Sequence, residues 1–300
     1  MYKEIIELAQ KHNLEYKENE LLSKYTSFRT GGKADLIVFP NDIKSLSEIL
    51  LECNNINADY YILGNGSNVI APDDGYKGII IKFDKCFGDI KLIDDTTIYC
   101  KAGLPLKSLC LFALENNLSG LEFAYGIPGT LGGAIYMNAG AYGGEMKDIL
   151  VSVSHIDKDG NEGVFTADKL DLGYRHSIYS DNSYVITSAI LKFEKSDNSK
   201  IKALMNENMQ KRKDKQPLEF PSAGSTFKRP EGYFAGALIE KSGLKGITIG
   251  GAQVSEKHAG FIINKGNAKS KDILDLISFV QDKVYKDSGV MLETEVKILA

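Results

Sequence analysis

"LGNGSNV", residues 63–69, is the stretch on which the fold turns. It follows a strand signal, "DYYIL" (59–63), and puts two glycines, a serine and an asparagine into one turn. Gly64 and Gly66 fit the first two positions of a GxGxxG dinucleotide fingerprint, but Val69 stands where the third glycine belongs. No GxxxxGK[ST] occurs anywhere in the chain, so a phosphate loop of that kind is also excluded. Two readings remain open. One is a glycine loop whose amides line an anion, with Ser67 and Asn68 adding short hydrogen-bonding groups. The other is a plain "NG" hairpin turn between strands.

A second glycine cluster lies in "GLEFAYGIPGTLGGAIYMNAGAYGGE", 120–145. Within "GIPGTLGG" (126–133), Gly126, Gly129, Gly132 and Gly133 carry no side chain and Pro128 stiffens the turn. Such a bare surface suits either the close approach of a large flat or phosphorylated ligand, or tight packing of a helix on a sheet. Two such loops in an N-terminal α/β region favour a dinucleotide lying between them.

Around these loops the apolar periodicity predicts strands at 34–40, 59–63, 78–83, 96–103, 149–157 and 184–193. It predicts helices at 42–55, capped by Asp42, at 105–117, with Pro105 in the first turn, and at 199–217, ended by Pro217. "MYKEIIELAQKHNLEYKENE" (1–20) reads as an acidic amphipathic helix without the apolar stretch of a signal peptide. The last hundred residues predict a helix at 233–241, a strand at 260–265, a helix at 270–286 stopped near Gly289, and a strand at 291–299.

Bulk properties fit a multidomain globular enzyme: 300 residues, 43% hydrophobic, 25% charged, formal net charge −4. That charge argues against a general nucleic-acid coat, and no apolar run reaches the roughly 18–20 residues of a membrane span. Cys53, Cys86, Cys100 and Cys110 form no CxxC pair and read as buried reduced thiols of a cytoplasmic protein. The histidines His12, His155, His176 and His258 show no HExxH spacing, so no metal site is expected. His258 admits a phosphate-binding role, although its ordinary reading is a surface histidine.

"YTSFRTGG" (25–32), "LGNGSNV" (63–69), "GIPGTLGGAIYMNAGAYGGE" (126–145), "YRHS" (174–177), "AGSTFKRP" (223–230) and "LETEV" (292–296) follow one another in this order. Together they closely resemble the UDP-N-acetylenolpyruvoylglucosamine reductase family, from about residue 20 to the end. The resemblance implies an α+β protein: a two-part FAD-binding region of the vanillyl-alcohol-oxidase/PCMH type and a C-terminal α/β substrate-binding domain. The expected division is 1–75 joined by a terminal strand at about 288–300, then 76–200, then 201–287 for the UDP-sugar. It also explains the failed dinucleotide fingerprint. The longer members' extra loop, whose tyrosine closes over the substrate, has no obvious counterpart here.

The implied cofactors are non-covalent FAD and, as hydride donor, NADPH; the implied partner is a small-molecule UDP-sugar, with no nucleic acid, membrane or protein partner. Hydride is added to the methylene carbon of an enolpyruvyl ether in bacterial peptidoglycan precursor synthesis, and a proton ends on the neighbouring carbon. Charge builds up in the adjoining carboxylate, so the site must bind that group and deliver one proton. The resemblance assigns FAD contacts to Arg29, Gly64, Asn65, Gly66, Ser67, Asn68, Gly126, Ile127, Pro128, Gly129, Thr130, Gly132, Gly133 and Asn138. It assigns proton donation to Ser225, carboxylate binding to Arg175, and a catalytic carboxylate to Glu295, with Glu293 as the other candidate. Glu295 is open to three roles: polarising Ser225, holding a water, or sharing charge with Arg175. Substrate contacts fall on Tyr174, Lys215, Lys228 and Arg229, while Lys211, Arg212 and Lys213 read as a solvated basic face.

Each of these residues has an ordinary reading beside it. Ser225 would be a turn or cap serine, Arg175 a surface arginine and Glu293 an exposed strand carboxylate. Two other functions compete at the level of the whole chain. An oxidase of the same fold would place a histidine or cysteine to tether flavin, and the glycine loops hold none. A non-catalytic nucleotide-sugar-binding module would be colourless when purified.

Overall fold

The structure, a computed structural model, describes residues 2–84 and 87–299. Cys86, grouped above with the buried thiols, lies outside them; Cys53, Cys100 and Cys110 are buried and form no disulfide among the described residues. Burial pushes the Cys53 thiol up to about 12. The chain divides into two compact units, one of 1–18, 36–64 and 78–210, the other of 19–35, 65–77 and 211–300. A four-stranded sheet has the order Glu15–Leu21, Lys33–Phe39, Tyr76–Lys82, Tyr60–Leu63, and the last two strands run parallel.

In the first unit α1 spans Lys3–Lys11 and α2 spans Ile43–Asn55. Asp42 caps α2 as its position predicts: its carboxylate accepts from the Ser45 N–H at 2.7 Å, and that bond holds the carboxyl below its usual range. Leu46, Ile49, Leu50 and Cys53 follow at helical spacing and are all buried. The five-stranded antiparallel sheet runs Glu162–Thr166, Leu150–Ile156, Val185–Lys192, Thr97–Lys101, Ile90–Asp94. Ala189 stands opposite both Val153 and Cys100, so small and medium apolar side chains fill the central strands. α3 (Leu106–Glu115) and α4 (Leu131–Tyr136) follow, and α5 (Asn198–Lys215) starts in this unit.

In the second unit Thr248–Ile249, Ala252–Val254 and Ile262–Asn264 form an antiparallel sheet, beside α6 (Ala235–Lys241) and α7 (Ser270–Ser288). Gly289 ends α7 with φ 71, the left-handed conformation that favours glycine. Asp73 caps the other end, accepting from the Ser270 and Lys271 N–H groups at 2.8 Å each. Asn264 donates to the Phe28 carbonyl at 2.9 Å, and Lys297–Ile298 pairs in parallel with Val69–Ile70. The segments 19–35 and 65–77 are thereby stitched to the C-terminal region of their own unit.

Three expectations need correction. The acidic N-terminus is not one helix: α1 ends at Lys11, Asn13 turns left-handed with φ 53, and the chain resumes as the strand Glu15–Leu21. The strand expected at 291–299 shrinks to Lys297–Ile298 and an isolated bridge between Thr294 and Phe227. The second glycine loop, 126–133, runs into α4, which begins where Thr130 accepts from the Gly133 N–H at 3.4 Å. No helix among the described residues is long and apolar enough to cross a membrane.

Candidate active site

In the first unit, much of the bareness of the glycine loops serves the protein itself. A Cβ on Gly64 would lie 2.5 Å from the Thr130 hydroxyl, and one on Gly132 would lie 3.0 Å from the Ala102 Cβ. Gly132 also donates to the Ala102 carbonyl at 2.8 Å, which is the tight helix–sheet packing weighed above. Gly126 has φ 94 and needs no Cβ for that reason alone. Gly129 gives its carbonyl to the Leu106 N–H at 3.0 Å. Among the described residues, the successive N–H groups of Gly129 and Thr130 find no acceptor, although Thr130 is only 3% exposed. Consecutive unclaimed amides are a concave donor for an anion. Ile127 and Pro128 precede them, half-buried and exposed.

Arg175 sits in a turn closed by hydrogen bonds between Gly173 and His176, at 3.1 and 3.3 Å. Its own φ is 57, a strained setting for a residue with a side chain, costing about 1–2 kcal/mol. The guanidinium donates to the Gly140 carbonyl at 3.5 Å and lies over the exposed Tyr174 ring, 5.0 Å from its centre. Asn138, expected at the cofactor, braces its surroundings through its side chain. Its amide donates to Glu145 at 2.7 Å and to the Gly173 carbonyl at 3.0 Å, and its oxygen accepts from Lys147 at 3.0 Å. It is 1% exposed, and both of its N–H groups are engaged in holding the turn that carries Arg175.

In the second unit, Gly66 is buried with φ 59, and a Cβ there would lie 2.0 Å from the Tyr25 carbonyl oxygen. Its carbonyl accepts from the Ser27 amide and hydroxyl at 3.0 and 3.3 Å, so the "YTSF" segment shapes this loop. The N–H groups of Gly66, Ser67 and Asn68 have no acceptor among the described residues, giving a second amide cradle. Asn65 and Arg29 are exposed, and Arg29 is left-handed with φ 58.

The same loop holds the C-terminal motif. Asn68 donates through its side chain to the Glu295 carbonyl at 3.1 Å and accepts from the Lys297 N–H at 3.0 Å. Glu295 donates its own N–H to the Thr226 carbonyl at 2.8 Å. Thr226 is 1% exposed, and its hydroxyl accepts from the Ile262 N–H at 3.1 Å. Its amide donates to the Gly260 carbonyl at 2.9 Å. Thr226 is therefore the structural half of the Ser-Thr pair. Ser225, one residue earlier, is half-buried and its hydroxyl bonds to nothing among the described residues. It caps no helix either, since α6 begins at Ala235 behind Phe234. The structure thus brings Ser225, Glu295 and the 65–68 loop onto one frame. No local signal could reveal this, because Asn68 and Glu295 stand 227 residues apart.

Glu293 is the exposed carboxylate of the pair, 3.2 Å from the Lys228 ammonium. Arg229 lies over the exposed Phe234 ring at 4.0 Å, and Lys215 is exposed near the end of α5. Three positions differ from expectation, Lys211 among them because it is half-buried. Arg212 is 6% exposed rather than solvated, and His258 is half-buried rather than on the surface.

The two glycine positions that matter most are expected to fail differently. Gly66→Val puts a branched side chain into the Tyr25 carbonyl and should lower the melting temperature of flavin-free protein by roughly 10 °C. Gly129→Val should melt near wild type yet purify with little flavin. Thermal melts and the ratio of flavin to protein absorbance check both, and full flavin content in Gly129→Val would remove that loop from the cofactor site.

Residues 34–163 match the family described as FAD binding domain, and residues 216–299 the family described as UDP-N-acetylenolpyruvoylglucosamine reductase, C-terminal domain. A UDP-N-acetylenolpyruvoylglucosamine reductase of Clostridium botulinum strain Hall is 50% identical over 281 residues, covering 94% of this chain and 91% of that one. The protein of that name from Clostridium novyi is 47% identical, covering 95% and 92%. The crystal structure of UDP-N-acetylenolpyruvylglucosamine reductase from Thermus caldophilus superposes with a TM-score of 0.83 at 34% identity, covering 96% of this chain and 99% of that one. An alkyldihydroxyacetonephosphate synthase, at 17% identity and a TM-score of 0.51 over 65% of this chain and 41% of that one, shares the fold alone. The fold is of the vanillyl-alcohol-oxidase/PCMH type, as expected.

Proposed function

The chain belongs to the UDP-N-acetylenolpyruvoylglucosamine reductase family, and from that premise we propose that it reduces UDP-N-acetylglucosamine enolpyruvate to UDP-N-acetylmuramate with NADPH as electron source. It is an FAD-binding oxidoreductase of peptidoglycan synthesis. The residues present fit FAD, whose diphosphate needs backbone donors of the kind each unit offers by itself: the unclaimed amides of Gly129 and Thr130 in the first unit, and those of Gly66, Ser67 and Asn68 in the second. Bound there, FAD would supply the hydride-transfer chemistry between NADPH and the methylene carbon of the enolpyruvyl group.

The protein's own part is to hold the carboxylate and supply the proton. The Arg175 guanidinium binds the enolpyruvyl carboxylate through paired N–H groups and takes up the charge that builds there. The Ser225 hydroxyl gives its proton to the neighbouring carbon. Glu295 is the acidic group that its frame provides for restoring that proton. Lys215, Lys228 and Arg229 supply positive charge for the UDP-sugar. The observation that carries this reading is the half-buried Ser225 hydroxyl, bonded to no described residue, while the Thr226 hydroxyl beside it accepts from the Ile262 N–H.

The test is colour. The purified protein should be yellow, bleach with NADPH in the absence of air, and recolour when UDP-N-acetylglucosamine enolpyruvate is added. Failure of the sugar to recolour bleached protein overturns the proposal. Arg175→Lys keeps the charge but loses the two-pronged geometry, so its kcat/KM for the sugar should fall roughly 10- to 100-fold. Wild-type kinetics in that variant would remove Arg175 from the site.

A further inference from the structure

The turn that carries Arg175 is gripped from one stretch of chain in its own unit, the end of α4 and the residues just beyond it. Alternate residues of that stretch reach the turn. The Tyr136 carbonyl accepts from the Ser177 hydroxyl at 2.8 Å, the Asn138 amide donates to the Gly173 carbonyl at 3.0 Å, and the Gly140 carbonyl accepts from the Arg175 guanidinium at 3.5 Å. The turn's own backbone bonds lie inside this grip. Besides the pair between Gly173 and His176, the Ile178 N–H donates to the Leu170 carbonyl at 2.8 Å and closes the base. Asp171 and Arg175 are both left-handed, with φ 46 and 57, so local preference alone does not keep this loop in shape.

The three rungs differ in kind. The one from Arg175 is long and uses the side chain that must meet the substrate. The one from Ser177 is shared, because the Ser180 hydroxyl also donates to the Tyr136 carbonyl, at 3.2 Å. Asn138 grips the backbone of the turn itself, two residues before Arg175. It can do so because it is anchored elsewhere. Its other N–H goes to the Glu145 carboxylate and its oxygen takes the Lys147 N–H, so it is tied to the short hairpin that pairs Gly140–Ala141 with Gly144–Glu145. Its own φ is 40, a left-handed setting that asparagine tolerates better than most residues. A short amide that offers two donors and one acceptor suits all three contacts at once.

We propose that Asn138 is a positioning residue for the reduction, with Ser177 as its second anchor: it acts through Arg175, fixing the turn so that the two-pronged guanidinium meets the enolpyruvyl carboxylate squarely. This rests on the reading that Arg175 binds that carboxylate. Paired N–H groups gain over a single charge only when both lines are held, and the strained turn by itself does not hold them.

A double-substitution cycle, read by steady-state kinetics on flavin-loaded protein, tests this. Asn138→Gly leaves the left-handed backbone unstrained and removes all three side-chain bonds. Its kcat/KM for the enolpyruvyl sugar should fall roughly 10- to 100-fold, the scale of misplacing a binding group by about 1 Å. In an Arg175→Ala background no guanidinium is left to position, so the same substitution should cost less than about twofold. A role in the fold alone would cost as much without Arg175 as with it. Ser177→Ala runs the same cycle with less disturbance, since Ser180 still serves the Tyr136 carbonyl. It should cost roughly 3- to 10-fold, the scale of one hydrogen bond, and again little without Arg175. Should Asn138→Gly not fold, the Ser177→Ala cycle decides alone. Equal losses with and without Arg175, a kcat/KM within twofold of wild type in Asn138→Gly, or purification of that variant without flavin overturns the proposal and leaves the reductase reading standing. Wild-type kinetics in Arg175→Ala would instead overturn the reading of Arg175 itself, and the proposal with it.

Discussion

Ser225→Ala should leave flavin reduction by NADPH largely intact and slow reoxidation by the enolpyruvyl sugar by roughly 10²–10⁴-fold, the usual contribution of a positioned acid. The two halves separate because only the second delivers a proton to carbon. Stopped-flow absorbance of the flavin follows each half alone. Ser225→Cys should recover part of the rate, since a thiol also donates a proton. The fold predicts little loss of stability in either variant, because the hydroxyl is bonded to no described residue. A capping serine would behave differently, costing about 0.5–2 kcal/mol and affecting both halves alike. Equal slowing of both half-reactions, or of neither, would sink the proton-donor role.

Glu295→Gln should lower kcat by about 10²-fold, against less than about twofold for Glu293→Gln. The contrast follows from position. Glu293 is exposed and faces Lys228, and such a surface pair contributes about 0–1 kcal/mol. Glu295 is half-buried, with both its backbone groups fixed, its N–H by Thr226 and its carbonyl by Asn68. Gln keeps the shape and removes the charge, so steady-state kinetics of the two variants reads charge alone. A mild Glu295→Gln with a crippled Glu293→Gln would mean that the wrong face of this segment has been assigned.

Local features were legible in the sequence because local rules produce them. Asp42 and the apolar spacing of α2 lie within a few residues of one another, and so do Gly289 and the end of α7. The glycines were ambiguous for a physical reason. A missing Cβ looks the same whether protein or ligand fills the space, and only coordinates show that Tyr25 crowds Gly66 and Thr130 crowds Gly64. α4 was hidden by the same letter, since its stability comes from the Thr130 cap and the buried Leu131, Ala134 and Ile135 rather than from helix propensity. The split at Asn13 was missed because an acidic, lysine-rich run has the same composition as a helix or as a polar strand. Within the site, the motif residues were visible and their braces were not. The Asn138 amide, for one, is engaged with Glu145 and Gly173, contacts that no sequence spacing announces.

The ladder at the end of the chain has a consequence for solvent exchange. Alternate amides of the closing segment, those of Glu295, Lys297 and Leu299, donate in turn to Thr226, Asn68 and Ile70. Two of the three acceptors belong to the strand that leaves the 65–68 loop and to that loop itself. A ligand that stiffens the loop must therefore slow deuterium uptake at residues 297 and 299, and removing flavin must quicken it, at positions where no ligand atom need reach. Mass spectrometry of the C-terminal peptide, with and without flavin, would register cofactor occupancy as a lag in isotope uptake at Lys297 and Leu299.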